Sequence, residues 1–241
     1  MGNSLKIAII GYGKMGREIE KFATSNGHKV VCIIDKDDDW EKLSAQAQVA
    51  IEFSVPEAAF NNIMRCFEVN LPVVCGTTGW YKNLAQATTR CMENGQTLFY
   101  APNFSLGMNI FFETNRHLAS IIGNFEGYKP SITETHHTQK LDAPSGTAIH
   151  LANQLIEQHC GFSGWKLRNG EVTDNSVIPI EAFRIEKVPG THLVIWEGQN
   201  DTLEIKHTAH NRSGFAQGAL LAAQWVWQKK GVYTMKDLLN L

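Results

Sequence analysis

The 241-residue chain is 43% apolar and carries 22 basic against 24 acidic side chains, a formal charge of -2. That length suits one large domain or two modest ones with their own cores, and the charge balance excludes a disordered chain and a polyanionic partner such as nucleic acid. No apolar run approaches the roughly 20 residues that cross a bilayer, so no membrane partner is expected. Along the chain, the first hundred residues alternate between two periods. Leu5–Ile10, Lys29–Asp35, Val49–Ser54, Pro72–Gly76 and Thr97–Tyr100 are short, β-branched, apolar runs, the pattern of parallel strands buried on both faces. Helical stretches at Lys14–Ser25, Pro56–Glu68 and Trp80–Glu93 separate them. Strand and helix in turn predict a Rossmann-type, doubly wound α/β sheet.

The alternation breaks after Ala101-Pro-Asn-Phe-Ser105, which marks a hinge into a second region. There the pattern predicts a helix over Met108–Ile122, a strand ending at His136 and a helix from Thr147 to His159. Three further strands follow, at Val177–Glu186, His192–Glu197 and Thr202–His207. Three strands without helices between them indicate a mixed, partly antiparallel sheet in an α+β domain. A final apolar helix, Phe215–Lys229, is expected to pack back on the first domain. The expected division is 1–105 plus 212–241 for dinucleotide binding, and 106–211 for substrate binding and oligomerisation. The crossings at Asn103–Ser105 and Arg212–Gly214 are the candidate hinges for closure.

The five cysteines, Cys32, Cys66, Cys75, Cys91 and Cys160, are scattered and lack a CxxC pair. Reduced, buried thiols in a cytoplasmic protein are the expectation, and no signal-peptide segment precedes the first strand.

Gly11-Tyr12-Gly13-Lys14-Met15-Gly16 follows the first strand and opens a helix. Glycines at this spacing permit a tight turn, close approach to a pyrophosphate and close helix–strand packing, while the helix start offers free N–H groups. Asp35 ends the next strand, where a carboxylate binds an adenosine ribose. It favours NAD, whereas Lys36, Lys14 and Arg17 can neutralise the extra phosphate of NADP, so both cofactors stay open. Gly76-Thr77-Thr78-Gly79 ends the fourth strand, at the sheet edge where ligands bind.

Glu134-Thr-His136-His137-Thr-Gln-Lys140-Leu-Asp142-Ala-Pro-Ser145-Gly146-Thr147 concentrates two imidazoles, an ammonium and a small-residue helix start. Strand alternation puts Glu134 and His136 on one face and His137 on the other, so the histidines have different tasks. A histidine exchanges a proton near neutral pH. Ser145 is the expected N-cap, and the helix start it opens is an anion site. The segment predicts a small, carboxylate-bearing substrate. A zinc site built from His136, His137, His207 and His210 is the rival reading, weakened by the absence of cysteine pairs; no metal is expected. His28, His117 and His159 read as surface residues, and Trp225 and Trp227 as packing.

These residues, with Glu52-Phe-Ser54, Ala101-Pro102-Asn103-Phe104-Ser105, Asn211-Arg212 and Phe215-Ala…Gly218-Ala219, run the length of the chain. It resembles the 4-hydroxy-tetrahydrodipicolinate (dihydrodipicolinate) reductases of lysine and diaminopimelate synthesis. The resemblance implies an NADH- or NADPH-dependent oxidoreductase that forms a homotetramer. It implies His136 as acid/base and Lys140 as a second proton donor. His137, Gly146 and Thr147, beside Ser145, would bind substrate carboxylates. Gly11 to Met15, Asp35, Gly76 to Thr78 and Ala101 to Phe104 would line the cofactor. The chain departs from the family in a plain GxGxxG loop and a short Asp35–Val49 segment, both at the adenosine end. Thr138-Gln139 also replaces a more basic pair. An NAD(P)-sensing regulator on a Rossmann fold explains the glycine loop equally well, but gives no reason for His136, Lys140 and Ser145–Thr147 to be gathered together.

Overall fold

The computed structural model describes residues 4–36, 40–43, 46–158, 161–168 and 174–241. Its elements run β1 (Lys6–Ile10), α1 (Lys14–Ser25), β2 (Lys29–Ile34), β3 (Val49–Glu52), α2 (Pro56–Glu68), β4 (Val73–Cys75), α3 (Leu84–Glu93) and β5 (Thr97–Tyr100). Next come α4 (Leu106–Ile122), β6 (Lys129–His136), α5 (Gly146–Gln158), β7 (Gly164–Leu167), β8 (Val177–Arg184), β9 (Gly190–Glu197) and β10 (Thr202–Ala209). The chain ends with α6 (Ser213–Val226), β11 (Gly231–Tyr233) and α7 (Met235–Leu239). Two compact units result, Met1–Leu106 with Arg212–Leu241, and Gly107–Asn211.

In the first unit six strands lie in the order β11-β5-β4-β3-β1-β2, every neighbouring pair parallel. Period-two alternation divides each strand between two cores. Ile7, Ile9, Val49 and Ile51 face α1 and α6, whose Ile19, Ala23, Ala219 and Ala223 pack beside them. Ala8, Ile10 and Ala50 face the opposite way, towards Ala59, Ile63, Ala87 and Cys91 of α2 and α3. Burial on both faces is why these strands read as continuous apolar runs. From β1 the chain turns to β2 on one side while β3 lies on the other. That reversal opens a crevice at the carboxyl ends of β1 and β3, the place where such sheets bind ligands.

The second unit holds a five-stranded mixed sheet, β10-β9-β6-β8-β7, antiparallel on the β9 and β10 side and parallel on the β8 and β7 side. Ile132, Ile178, Ile180, Val194 and Trp196 point from one face into a core shared with Met108, Phe111, Ala119, Leu151 and Leu155 of α4 and α5. The alternate residues Ser131, Thr133, Leu193 and Ile195 stand half-buried on the opposite face.

Several elements differ from expectation. β7, β11 and α7 have only four, three and five residues, too short for a period to show. The third helix begins at Leu84 after a 3-10 turn over Tyr81–Asn83, because Trp80 is buried with its indole N–H donating to the Thr77 carbonyl. His28 is buried, not superficial: Leu5 N–H donates to its Nδ1 at 3.0 Å. Its Nε2 lies 3.0 Å from the Gln224 side-chain amide nitrogen. His117 is exposed, while His159 and Cys160 lie outside the described residues. The other four cysteines are buried. No helix among the described residues is long and apolar enough to cross a membrane.

Candidate active site

At the crevice of the first unit, Gly11, Tyr12, Gly13, Asp35 and Lys36 line a cleft of about 460 Å³. The three glycines do different work. Gly11 has φ +88°, and a Cβ there would lie 2.3 Å from the Phe53 carbonyl oxygen. A Cβ on Gly16 would lie 2.2 Å from the Gly11 oxygen, so it permits α1 to pack closely. Gly13, N-cap of α1, has nothing within 4 Å of its Cβ position, which leaves the backbone open to a bulky anion. This is the distribution a pyrophosphate requires, and the residues fit a dinucleotide. Lys14 and Met15 begin α1 behind the loop.

Trp40 and Arg65 are among the residues of this cleft that sequence reasoning missed. The Arg65 guanidinium stands over the Trp40 indole at 4.5 Å, a contact between residues on separate elements that no spacing announces. A buried carboxylate organises the adjoining loops. Glu52 is fully buried and accepts from the Asn62 amide at 3.2 Å, Ser54 N–H at 3.2 Å and the Cys75 thiol at 3.0 Å. Burial and that carboxylate push the Cys75 thiol well up, so it stays protonated.

Of the expected nicotinamide-side residues, Thr77 is buried and its hydroxyl accepts Ser54 N–H at 2.8 Å, tying the β3 and β4 loops together. Thr78 is exposed, and Gly76 lies under the Phe53 ring, 2.1 Å from where its Cβ would be. Ala101 and Phe104 are buried, Pro102 is exposed, and Asn103 accepts Ser105 N–H at 2.8 Å. The Phe104 ring packs on Phe53 and Phe99 at 5.6 and 5.7 Å, so this residue can offer a ligand only its backbone.

In the second unit, sheet register assembles the polar cluster. Glu134 of β6 pairs with His192 of β9, His192 with His207 of β10, and His136 with Arg184 of β8. Glu134 is fully buried. Its two oxygens each accept Ser145 N–H at 3.1 Å, and Oε1 also takes Arg184 Nη2 at 3.2 Å. Oε2 faces His136 Nδ1 at 3.6 Å and His192 Nε2 at 3.8 Å. Burial lowers the His136 pKa, with Lys140 and Arg184 adding to the effect and Glu134 and Asp142 opposing it. Burial drives His192 further down, to about 3.

Lys140 lies in the loop beyond β6 and pairs with the Asp142 carboxylate at 2.9 Å, which holds that acid below its usual range. Arg184 grips the same loop through the Lys140 carbonyl at 3.2 Å and the Asp142 carbonyl at 2.6 Å. His137 follows the strand end, half-buried.

Ser145 requires a correction. It is the N-cap, its Oγ accepting Ala148 N–H at 3.2 Å and meeting His192 Nε2 at 3.3 Å, but it is buried and its own N–H serves Glu134. Its polar groups are thus turned inward, and the open helix start consists of exposed Gly146 and half-buried Thr147. The zinc quartet does not converge either. The donor atoms that gather, within 4.8 Å of one another, belong to Glu134, His136 and His192. Arg184 and Ser145 already engage that carboxylate, and a guanidinium beside it opposes a cation. Glu134, Arg184 and His192 were not singled out from sequence as site residues. Glu134's facing was legible from strand alternation, but its partners come from strands about 50 residues away.

A dinucleotide cleft in one unit and an acid–imidazole cluster at an open helix start in the other define an NAD(P)-dependent oxidoreductase. Residues 5–104 and 107–239 match the families described as dihydrodipicolinate reductase, N-terminus and C-terminus. The chain belongs to the dihydrodipicolinate reductase family. It is 48% identical, over 98% of both chains, to the 4-hydroxy-tetrahydrodipicolinate reductase of Christiangramia forsetii. It is 39% identical to that of Methanopyrus kandleri over 82% of this chain and 73% of the relative. In fold it is similar to the dipicolinate-bound dihydrodipicolinate reductase of Paenisporosarcina sp. TG-14, with TM-score 0.78 and 24% identity over 96% and 98% of the two chains.

Proposed function

We infer that the protein reduces 4-hydroxy-tetrahydrodipicolinate (dihydrodipicolinate) to tetrahydrodipicolinate with NADH or NADPH, a step of lysine and diaminopimelate biosynthesis. The observation that carries this reading is near full-length identity of 48% to a reductase of that name, in a chain that keeps His136, Lys140 and the Gly146–Thr147 helix start together in one segment. The first unit binds the cofactor and the second binds the substrate. Gly11, Gly13 and the start of α1 hold the pyrophosphate, and Asp35 and Lys36 meet the adenosine ribose.

The reduced nicotinamide supplies a hydride to ring C4 of the substrate. The N–H groups of Gly146 and Thr147, with His137 and the Lys140 ammonium, hold the substrate carboxylates. If the 4-hydroxy compound is what binds, water leaves first, giving a carbon–carbon double bond conjugated to C=N. As C4 gains hydrogen, the electron pair moves toward nitrogen and leaves an enamine. A proton from His136 or Lys140 then completes the neighbouring ring carbon.

The half-buried sheet face carrying Leu193 and Ile195 suits self-association, and we assign it to a homotetramer. Four buried cysteines suit the reducing cytoplasm.

The test is optical oxidation of NADH and of NADPH with substrate generated in place from pyruvate and aspartate semialdehyde by the preceding synthase. Rapid oxidation is expected. None with either cofactor, in protein shown to bind NADH, overturns the reading.

A further inference from the structure

The most buried ionisable group of the second unit takes no part in the steps above. Glu134 has no exposed surface, yet it sits where three elements meet: β6, which carries His136, the start of α5, and β8 through Arg184. His136 Nδ1 is buried without a hydrogen-bond partner among the described residues, and the polar atom it faces is Glu134 Oε2 at 3.6 Å. Hydrogen bonds of proton-transfer residues are commonly this long before substrate binds. On its other side the imidazole rests against Gly190, where a Cβ would stand 3.2 Å from Nε2 and Cδ2.

We propose that Glu134 is a positioning residue for the proton step: its carboxylate holds His136 with Nδ1 protonated and turned inward, so that Nε2 exchanges the proton. The same carboxylate fixes Ser145 N–H, so one buried side chain sets both the proton donor and the helix start that receives the substrate. Arg184 and His192 complete the arrangement. Arg184 bonds Oε1 and the Lys140 loop, and His192 lies between Glu134 Oε2 and the Ser145 hydroxyl. The proposal rests on the reading of His136 as the acid/base.

The titratable groups facing His136 are Glu134 on its own strand, Arg184 on β8, the neutral His192 ring on β9, and Lys140 and Asp142 in the loop. Of these, Glu134 and Asp142 favour the imidazolium. Removing the Glu134 charge therefore makes His136 give up its proton at lower pH. With its oxygen held by the Arg184 and Ser145 donors, an amide there turns its NH2 to Nδ1 and moves the ring proton onto Nε2.

Nitrogen-15 NMR of histidine-labelled enzyme tests this. In the unsubstituted protein neutral His136 is expected as the Nδ1–H tautomer; the Nε2–H form overturns the proposal whether or not any variant folds. In Glu134→Gln the tautomer is expected to invert. The alkaline limb of kcat/KM is expected to move to lower pH, with the KM for NADH unchanged. Lower activity with an unmoved limb and tautomer overturns it, because that is what a purely structural carboxylate gives. His136→Gln separates the two readings. If it retains turnover, the assignment of His136 itself has failed; if it loses turnover while Glu134→Gln behaves normally, only the role of Glu134 has.

Discussion

Gly190 lies against the His136 imidazole so closely that a Cβ would stand 3.2 Å from both Nε2 and Cδ2. Gly190 opens β9 and His136 closes β6, two strands that are antiparallel neighbours. A glycine is therefore needed for packing against the ring, not for its backbone angles. Gly190→Ala is expected to displace the imidazole by a few tenths of an ångström and lower kcat by about tenfold or more, given how steeply proton transfer depends on placement. NADH affinity, measured by fluorescence titration, should not change. Full activity in Gly190→Ala would mean that the ring position is not critical.

The glycines of the nucleotide loop should separate stability from binding. Gly11→Ala meets both a positive φ and the Phe53 carbonyl, and should destabilise the fold by about 2 kcal/mol or more. Gly13→Ala has open space around it, so stability should change by less than about 0.5 kcal/mol. It intrudes where a pyrophosphate belongs, and NADH affinity should fall by about tenfold, or 1.4 kcal/mol. Urea unfolding and cofactor titration on both variants measure the contrast.

Cofactor preference should follow the two residues at the end of β2. Asp35→Ala removes a carboxylate that repels a 2′-phosphate, and should shift the kcat/KM ratio towards NADPH on the order of tenfold. Lys36→Ala should shift it the other way. Steady-state rates with each cofactor at fixed substrate decide both.

Acid should destabilise the second unit through His192. Its pKa in the folded chain is about 3, against an ordinary 6.5. Between those values the unfolded chain binds a proton that the folded one refuses, so stability falls as pH drops from 6.5 towards 3. The slope from this one group is at most about 1.4 kcal/mol per pH unit. Urea midpoints between pH 7 and 4 should show the decline, and His192→Gln should flatten it.

The face of the second sheet that carries Leu193 and Ile195 should govern assembly. Leu193→Asp puts a charge on that face without touching the core side of β9, and a buried, unpaired charge is costly at an interface. Light scattering should show a smaller species than the unsubstituted protein gives; an unchanged mass would place the interface elsewhere.

Much of this architecture was legible before any coordinate. α1 and α2 begin and end at the expected residues, because each follows a strand-ending turn and carries a regular apolar face. The glycine loop and the carboxylate of Asp35 at the cleft follow from local chemistry that any βαβ unit needs. Gly146 and Thr147 stand at an open helix start for the same kind of reason. By contrast, Ser145 reads as an anion-binding hydroxyl and proves to be a buried cap, because its partners Glu134 and His192 come from other strands. His28 reads as a surface residue for want of any sign that Leu5 and Gln224 would enclose it.

The sequence by itself determined the longer strands of the two sheets, the dinucleotide loop and the segment from His136 to Thr147, because periodicity, turn chemistry and helix starts act over a few residues. Only the tertiary structure decided which groups surround the His136 imidazole. Glu134, Arg184, Gly190 and His192 meet through strand register, and register joins residues as distant in sequence as Glu134 and His192. The burial that lowers the His136 and His192 pKa values exists only once β6, β8, β9 and α5 have closed over them.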